Sequence, residues 1–246
     1  MRALSERYYD IHNHILPGLD DGPEGIQGSI ELAEACIKDG ASGIIATPHL
    51  RLGSDLSSFL DKRDEAIGLL VSELSRRGIS LIIKAGAEVM LKHKDNVNQA
   101  YSDLGRHKKE LSLGDSDLLL VEYPASSEPL WFEESLFRLQ DIGFQPVLAH
   151  MERYPWLKKE ARLEKLVDKG IYMQVNVDSL KGLLSPSSIR ARRLARSGLV
   201  HFVATDAHDA VNRRPEMTGA NIKLIGDIMV NSEKLFMHDG SDTLYI

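Results

Sequence analysis

Cys36 is the only cysteine in this 246-residue chain. That excludes an intrachain disulfide framework, a cysteine-rich zinc ribbon and an iron–sulfur cluster. Positive charge is also in short supply: 30 Lys and Arg against 36 Asp and Glu leave a net charge of −6. A general nucleic-acid binder needs a basic surface to displace counterions, so no nucleic-acid partner is expected. No apolar run is long enough to span a membrane, and the opening MRALSERYYD lacks the apolar core of a signal peptide. No membrane span is therefore expected, and the expected location is cytoplasmic. Low-complexity linkers and Pro/Gly-rich boundaries are missing too, so residues 1–246 are expected to form a single domain. What remains is ordinary globular composition, with 43% hydrophobic and 27% charged residues. A chain of this length buries about 70–75% of its unfolded surface and can build a core without disulfides.

Short apolar runs recur at Tyr9–Ile15, Gly43–Thr47, Leu81–Ala85, Leu118–Glu122, Pro146–Ala149, Tyr172–Val177 and Val200–Thr205. Helical patterns fill the gaps, at roughly 27–39, 57–77, 131–142, 158–168 and 186–197. Gly40, Gly78, Gly143, Gly170 and Gly198 follow helical stretches, as C-terminal caps do. Buried strands alternating with helices read as βα units around a parallel sheet. Seven strands in one α/β domain suggest a closed or distorted barrel rather than an open sheet.

Candidate ligands stand at nearly every strand end. His12 and His14 close the first run, and His49 follows the second in Thr47-Pro48-His49. Glu88 follows the third, Glu122 ends the fourth, His150 follows the fifth, and Asp206 with His208 follow the last. In parallel α/β folds these ends form one rim. His12 and His14, like Asp206 and His208, have the i, i+2 spacing that places two side chains on one face of a strand. Asp21 lies in the acidic turn Gly18–Gly22 beside the first pair. Nine imidazoles and carboxylates without thiolate suit two or three ions of the Mn²⁺, Fe²⁺ or Zn²⁺ type. Unpaired Asp, Glu and His are rarely buried in such numbers at apolar strand ends.

These motifs resemble those of the polymerase-and-histidinol-phosphatase (PHP) superfamily. The opening DIHNHILPGLDDGP at 10–23 is similar to its first motif, and more narrowly to that of metal-dependent protein-tyrosine phosphatases of the CpsB/CapC type. Thr47-Pro48-His49, Gly86-Ala87-Glu88, Val121-Glu122-Tyr123-Pro124, His150-Met151-Glu152-Arg153-Tyr154 and Thr205-Asp206-Ala207-His208 follow in the same order, from about residue 8 to about 216. Asn13 stands where relatives often have Cys, and Leu50-Arg51 where many carry a second His.

The resemblance implies a distorted (β/α)7 barrel with a trinuclear centre, most readily of Mn²⁺. By position, His12, His14, Glu88 and Asp206 would hold one ion. Glu88 would bridge to a second, completed by Glu122 and His150. Asp21, His49 and His208 would hold the third. Arg153 and Arg213 match phosphate-contacting residues, with Arg214 adjacent to the latter. The activity implied is hydrolysis of a phosphomonoester, foremost of phosphotyrosine on the tail of a tyrosine kinase in capsule or exopolysaccharide regulation. The alternative is a small-molecule phosphatase of the histidinol-phosphatase type. In that branch histidine is frequent at the position of Glu122. A PHP-type nuclease and a non-catalytic metal binder are less favoured. Cys36 sits in a helical apolar pattern without a C-x5-R loop, so a thiol mechanism is set aside.

Other residues are expected to be structural. His93, His107, His201 and His238 lack carboxylate company at strand ends. The arginines of 190–196 read as a solvated helix face, and Trp131, Phe132, Leu136 and Phe137 as a helix face on the barrel. Tyr154 and Trp156, directly after Arg153, are candidates for the pocket mouth, with core packing equally open for Trp156. The segment from Gly226 onward carries no functional motif, though it could cover a barrel end or mediate association.

Overall fold

The computed structural model describes residues 7–92, 97–181, 185–219 and 222–237. The elements run β1 (Tyr8–Asn13), α1 (Ile26–Lys38), β2 (Ala41–Ala46), β3 (His49–Arg51), α2 (Leu56–Arg76), β4 (Ile82–Ala85), β5 (Glu88–Met90), α3 (Val97–Arg106) and α4 (Lys108–Leu111). They continue with β6 (Leu118–Glu122), α5 (Phe132–Asp141), β7 (Gln145–Leu148), α6 (Glu160–Val167), β8 (Tyr172–Asn176), α7 (Val177–Lys181), α8 (Pro186–Arg196), β9 (Phe202–Ala204) and α9 (Ile222–Met237). The helices begin where local chemistry favours it. Asp55 accepts from Ser58 N at 3.1 Å at the head of α2, and Ser185 caps α8 in the same way ahead of Pro186.

All pairings between these strands are parallel. They form a three-stranded sheet, β1-β2-β4, and a six-stranded sheet, β3-β5-β6-β7-β8-β9. The two sheets share one wall. Thr47-Pro48 interrupts the second strand position between β2 and β3, and Gly86-Ala87 interrupts the third between β4 and β5. Proline cannot donate to a ladder, so the wall breaks there. Asp206 N donates to His12 O and His14 N to Ala207 O, each at 2.9 Å, joining the first and last strands. The result is a distorted α/β barrel. His49 and Glu88 therefore do not trail their strands, as the sequence suggests; each opens a second short strand beyond a break.

Ile11, Ile45, Leu118, Leu120, Val147 and Phe202 form the barrel interior. Their alternates, such as Leu119, Val121 and Leu148, pack outward under the helices in the larger core. α9 lies at the amino end of the strands. Phe236 stacks on Tyr9 with ring centroids 4.5 Å apart, and Lys84 Nζ donates to Leu235 O at 3.1 Å. Gly43 permits this approach, because a Cβ there would lie 2.6 Å from the Phe236 ring. The chemistry is left to the opposite end.

The arginines of α8 are only partly solvated. Arg190 donates to the carbonyls of Tyr154 and Leu157 and so ties α8 to the segment after His150. Phe132 and Leu136 are buried, as their pattern predicts. No helix among the described residues is long and apolar enough to cross a membrane.

Candidate metal centre

The centre starts from an irregularity in β1. Its register with β2 shifts between Asp10 and Asn13, a bulge-like step that changes which side chains face inward. Ile11 points into the barrel, and beyond the step His12 and His14 converge. Asn13 turns away, donating to Asp10 Oδ2 at 3.0 Å and lying 3.8 Å from Cys36 Sγ. Asp10 also accepts from Thr205 N at 3.0 Å, which fixes β1 against the last strand.

His12 Nε2 lies 3.2 Å from His14 Nε2, 3.3 Å from Glu88 Oε2 and 3.4 Å from Asp206 Oδ1. Glu88 Oε1 is 2.9 Å from His150 Nε2, and Glu88 Oε2 is 2.9 Å from His49 Nδ1. Glu122 completes this side, 3.4 Å from His49 Nδ1 and 3.8 Å from His150 Nε2. At the outer edge Asp21 Oδ1 lies 3.3 Å from His49 Nε2 and 3.1 Å from His208 Nε2. All nine sequence-predicted ligands thus meet in one assembly, with Glu88 at its middle and His49 between two of its groups.

The donor set fits metal ions. Three groups present ligand atoms close enough to share an ion: His12, His14 and Asp206; His49, Glu88 and Glu122; and His14, Asp21, His49 and His208. Glu88 Oε2, Glu122 Oε1, His49 Nδ1 and His208 Nε2 are buried, yet none has a hydrogen-bond partner among the described residues. Buried polar atoms left this way are costly unless something else engages them. The centre can hold two or three ions.

Electrostatics agree. Burial pushes the Glu88 carboxyl up, but His12, His14 and His150 outweigh it and hold Glu88 well below the usual range. Asp206 is likewise held well below it against burial, by His12, His14 and His150. Burial opposes protonation of His49, yet Glu122 and Glu88 raise it to about 10. Carboxylates that draw protons this strongly onto imidazoles also attract divalent cations, which bind by displacing those protons.

Supporting residues escaped the sequence reading. Asp20 Oδ2 accepts from His14 Nδ1 at 2.7 Å and from His49 N at 3.1 Å, which turns His14 Nε2 toward the centre. Gly22 lets this acidic turn close, since a Cβ there would lie 2.2 Å from His14 O. On β8, Gln174 Oε1 accepts from His12 Nδ1 at 3.3 Å and from His150 N at 2.7 Å. Gln174 Nε2 donates to Asn176 Oδ1 at 2.9 Å, and Asn176 Nδ2 donates to Asp206 Oδ2 at 2.7 Å. Two buried amides thereby tie three ligands together. The i, i+2 spacing of Gln174 and Asn176 in an apolar strand was the available signal. His150 and Asp206 both adopt left-handed backbone, with φ of 33° and 54°. Such conformations cost about 1–3 kcal/mol and persist where the surroundings over-determine them.

Arg153 Nη2 lies 3.0 Å from Asp206 Oδ2. Arg213 Nη1 lies 2.9 Å from Asp21 Oδ2, and its Nη2 lies 3.4 Å from Asp206 Oδ1. Both guanidiniums stand at the rim, 45% and 43% exposed, where an incoming anion can reach them. Arg214 pairs instead with Glu216. Tyr154 does not flank the mouth: it is buried, and its hydroxyl accepts from Tyr123 N at 3.1 Å. The short 3-10 turn Met151–Arg153 swings the next residue inward. Trp156 packs on Tyr154 and Phe132 and donates to Pro124 O at 3.2 Å. His201 is a satisfied core residue whose Nδ1 accepts from Met173 N at 3.1 Å. His107 precedes α4 and belongs to none of the ligand groups. His93 and His238 lie outside the described residues.

Known proteins resemble this chain in sequence and fold. Tyrosine-protein phosphatase YwqE of Bacillus subtilis is 35% identical over 206 residues, 83% of this chain and 78% of that protein. Tyrosine-protein phosphatase CpsB of Streptococcus pneumoniae is 32% identical over 223 residues, 86% of this chain and 87% of that protein. A crystal structure from work on these two, described as unique metal-dependent tyrosine phosphatases, matches with a TM-score of 0.78 at 30% identity. It covers 96% of this chain and 97% of that one. The model of the family described as capsular polysaccharide synthesis, CpsB/CapC, matches residues 8–244. That range includes all nine candidate ligands, and the chain belongs to the CpsB/CapC family.

Proposed function

We propose that the chain is a metal-dependent protein-tyrosine phosphatase of the cytoplasm, acting on the phosphorylated tail of a tyrosine kinase in capsule or exopolysaccharide regulation. The observation that carries this reading is one assembly of nine imidazole and carboxylate ligands with Arg153 and Arg213 at its rim. The similarity to phosphatases named for tyrosine supports the substrate.

In this reading His12, His14, Glu88 and Asp206 would hold one ion, Glu122 and His150 with Glu88 a second, and Asp21, His49 and His208 a third. Mixed nitrogen and oxygen donors without thiolate favour Mn²⁺. The chemistry supplied by bound ions would be neutralisation of phosphate charge and a water-derived nucleophile near neutral pH. Arg153 and Arg213 offer planar forks that fit two phosphate oxygens at once. Gln174 keeps His12 in the tautomer whose Nε2 faces the centre, and Asp20 does the same for His14. Tyrosine leaves as a phenolate whose conjugate acid has a pKa of about 10, so the chain needs no strong general acid.

The test is hydrolysis of phosphotyrosine peptide, phosphoserine peptide and histidinol phosphate in parallel. Metal-stripped protein should be inactive, and Mn²⁺ should restore it. Phosphotyrosine should then be preferred. A much higher kcat/KM for histidinol phosphate would move the chain to the small-molecule branch.

A further inference from the structure

Side chains at i and i+2 of a strand share a face. His49 and Arg51 are so related on β3, and Glu88 and Met90 on β5. The register aligns His49 with Glu88, and Arg51 with Met90, which in turn pairs with Glu122 on β6. The row Arg51–Met90–Glu122 therefore lies one step farther out than the row through His49 and Glu88, on the same face.

A cleft of about 610 Å³ opens over this outer row. Asp21, His49 and Glu122 form its inner end, so it runs directly into the metal centre. Leu19, Phe59 and Met90, each half-buried, give it apolar walls. Its size is that of a pocket for a ligand larger than phosphate. Arg51 lines the cleft and is exposed. Arg153 and Arg213 are engaged with ligand carboxylates. The Arg51 guanidinium, in contrast, makes no ion pair or side-chain hydrogen bond among the described residues. Asp20, Asp21 and Glu122 line the same cleft, but Asp20 is held by His14 and His49 N and Asp21 by Arg213, so the Arg51 guanidinium is left to meet an anion brought in by the ligand.

We propose that this cleft seats the phosphotyrosine side chain, with Phe59 against its ring, and that Arg51 selects an acidic residue beside the phosphotyrosine. This rests on the tyrosine-phosphatase reading and adds a substrate class to it: acidic phosphotyrosine peptides. The ring lies between Leu19, Phe59 and Met90 while its phosphate reaches the ligand assembly. The peptide backbone stays outside, and a neighbouring Asp or Glu meets Arg51.

Three substrates separate the parts: phenyl phosphate, a phosphotyrosine peptide flanked by Glu, and the same peptide flanked by Lys. The wild type should prefer the Glu-flanked peptide. Phe59→Ala should raise KM about three- to ten-fold for all three, as expected for a lost ring contact, while kcat stays within about two-fold of wild type. Phe59→Tyr keeps the ring and should restore KM, which guards against a folding defect. Arg51→Glu should raise KM for the Glu-flanked peptide by about two- to five-fold or more, the scale of an exposed pair. Its effect on phenyl phosphate should be far smaller, and the preference between the two peptides should invert. Arg51→Lys should keep the preference. If Arg51→Glu treats both peptides as the wild type does, selection by Arg51 is wrong. An unchanged KM in Phe59→Ala would remove the ring from this cleft. Either result with an active, phosphotyrosine-preferring wild type leaves the tyrosine-phosphatase reading intact. A wild type that ignores all phosphotyrosine substrates overturns both.

Discussion

Gln174→Leu is the sharpest probe of the centre, because it touches no proposed metal ion yet removes three interactions at once. Gln174 Oε1 accepts from His12 Nδ1 at 3.3 Å and from His150 N at 2.7 Å, while Nε2 donates to Asn176 Oδ1 at 2.9 Å. Leucine has similar bulk, so the core stays filled. The His150 N–H is then buried without a partner, which costs about 1–3 kcal/mol. It is also one of the bonds holding His150 at its positive φ of 33°. His12 loses the group that fixes its tautomer, and losses of this kind weaken metal binding about 10–100-fold. Two measurements separate the effects. Urea unfolding of the metal-free protein should show a lower midpoint with an unchanged slope. Competition against a chelator should show the weaker affinity. Gln174→Glu retains an acceptor for His150 N and should recover part of the stability. Wild-type metal affinity in Gln174→Leu would refute the idea that this amide organises the ligands.

Other expectations follow from the same geometry. Arg153→Ala and Arg213→Ala should each keep their metal but lose about 10²–10³ in kcat, the scale for a lost transition-state donor; Arg→Lys should rescue only partly, and full turnover in the double alanine variant would exclude the clamp. His201 is lowered to about 4 by burial, against about 6.5 in the unfolded chain. Between pH 6.5 and 4 the unfolded state therefore binds the extra proton. Stability attributable to His201 is full above pH 6.5 and falls by roughly 2–4 kcal/mol toward pH 4. Urea midpoints of His201→Asn should accordingly fall less steeply with acid than those of the wild type, and parallel profiles would contradict this. Burial pushes the Cys36 thiol well above its usual range, so the folded protein should resist thiol reagents at pH 8 and Cys36→Ala should remain active; rapid labelling or an inactive variant would count against it.

The candidate ligands were legible because a site able to hold metal ions gathers unusual residues in unusual places. His, Asp and Glu at the ends of apolar runs are rare without a purpose, and the fold brings the nine candidates together at one end of the barrel, although His49 and Glu88 open short strands of their own. The barrel was legible for a related reason: buried parallel strands read as continuous apolar runs. What surrounds the ligands was not. Thr47-Pro48 and Gly86-Ala87 read as strand ends, since proline and glycine usually stop strands. Here the chain resumes its direction after each break. The step in β1 that turns His12 and His14 inward is a matter of register, set by pairing with β2. Gln174 and Asn176 were hidden inside a run that scores as apolar, although two amides at i, i+2 in a buried strand need partners. Tyr154 was misplaced because adjacency to Arg153 in sequence is not adjacency in space after a tight turn. The segment from Gly226 could be expected to cover a barrel end, but not which one, because that is set by Tyr9 and Gly43, almost the whole chain away.

The two interrupted strands also bear on how such a chain can vary by descent. Beyond each break, β3 and β5 are three residues long and carry a ligand and a cleft residue on one face: His49 with Arg51, and Glu88 with Met90. A one-residue insertion or deletion at Thr47-Pro48 would turn both members of the first pair outward together. The hydrolytic centre and the selecting residue would be lost in a single event. Length changes are therefore expected to be tolerated worse at the breaks than in the turn after Arg51. Preference can drift only by replacing Arg51 or Met90 in place, which the exposed end of a short strand tolerates well. Diversity of target within one chemistry is thus expected to be written in point substitutions on this outer row.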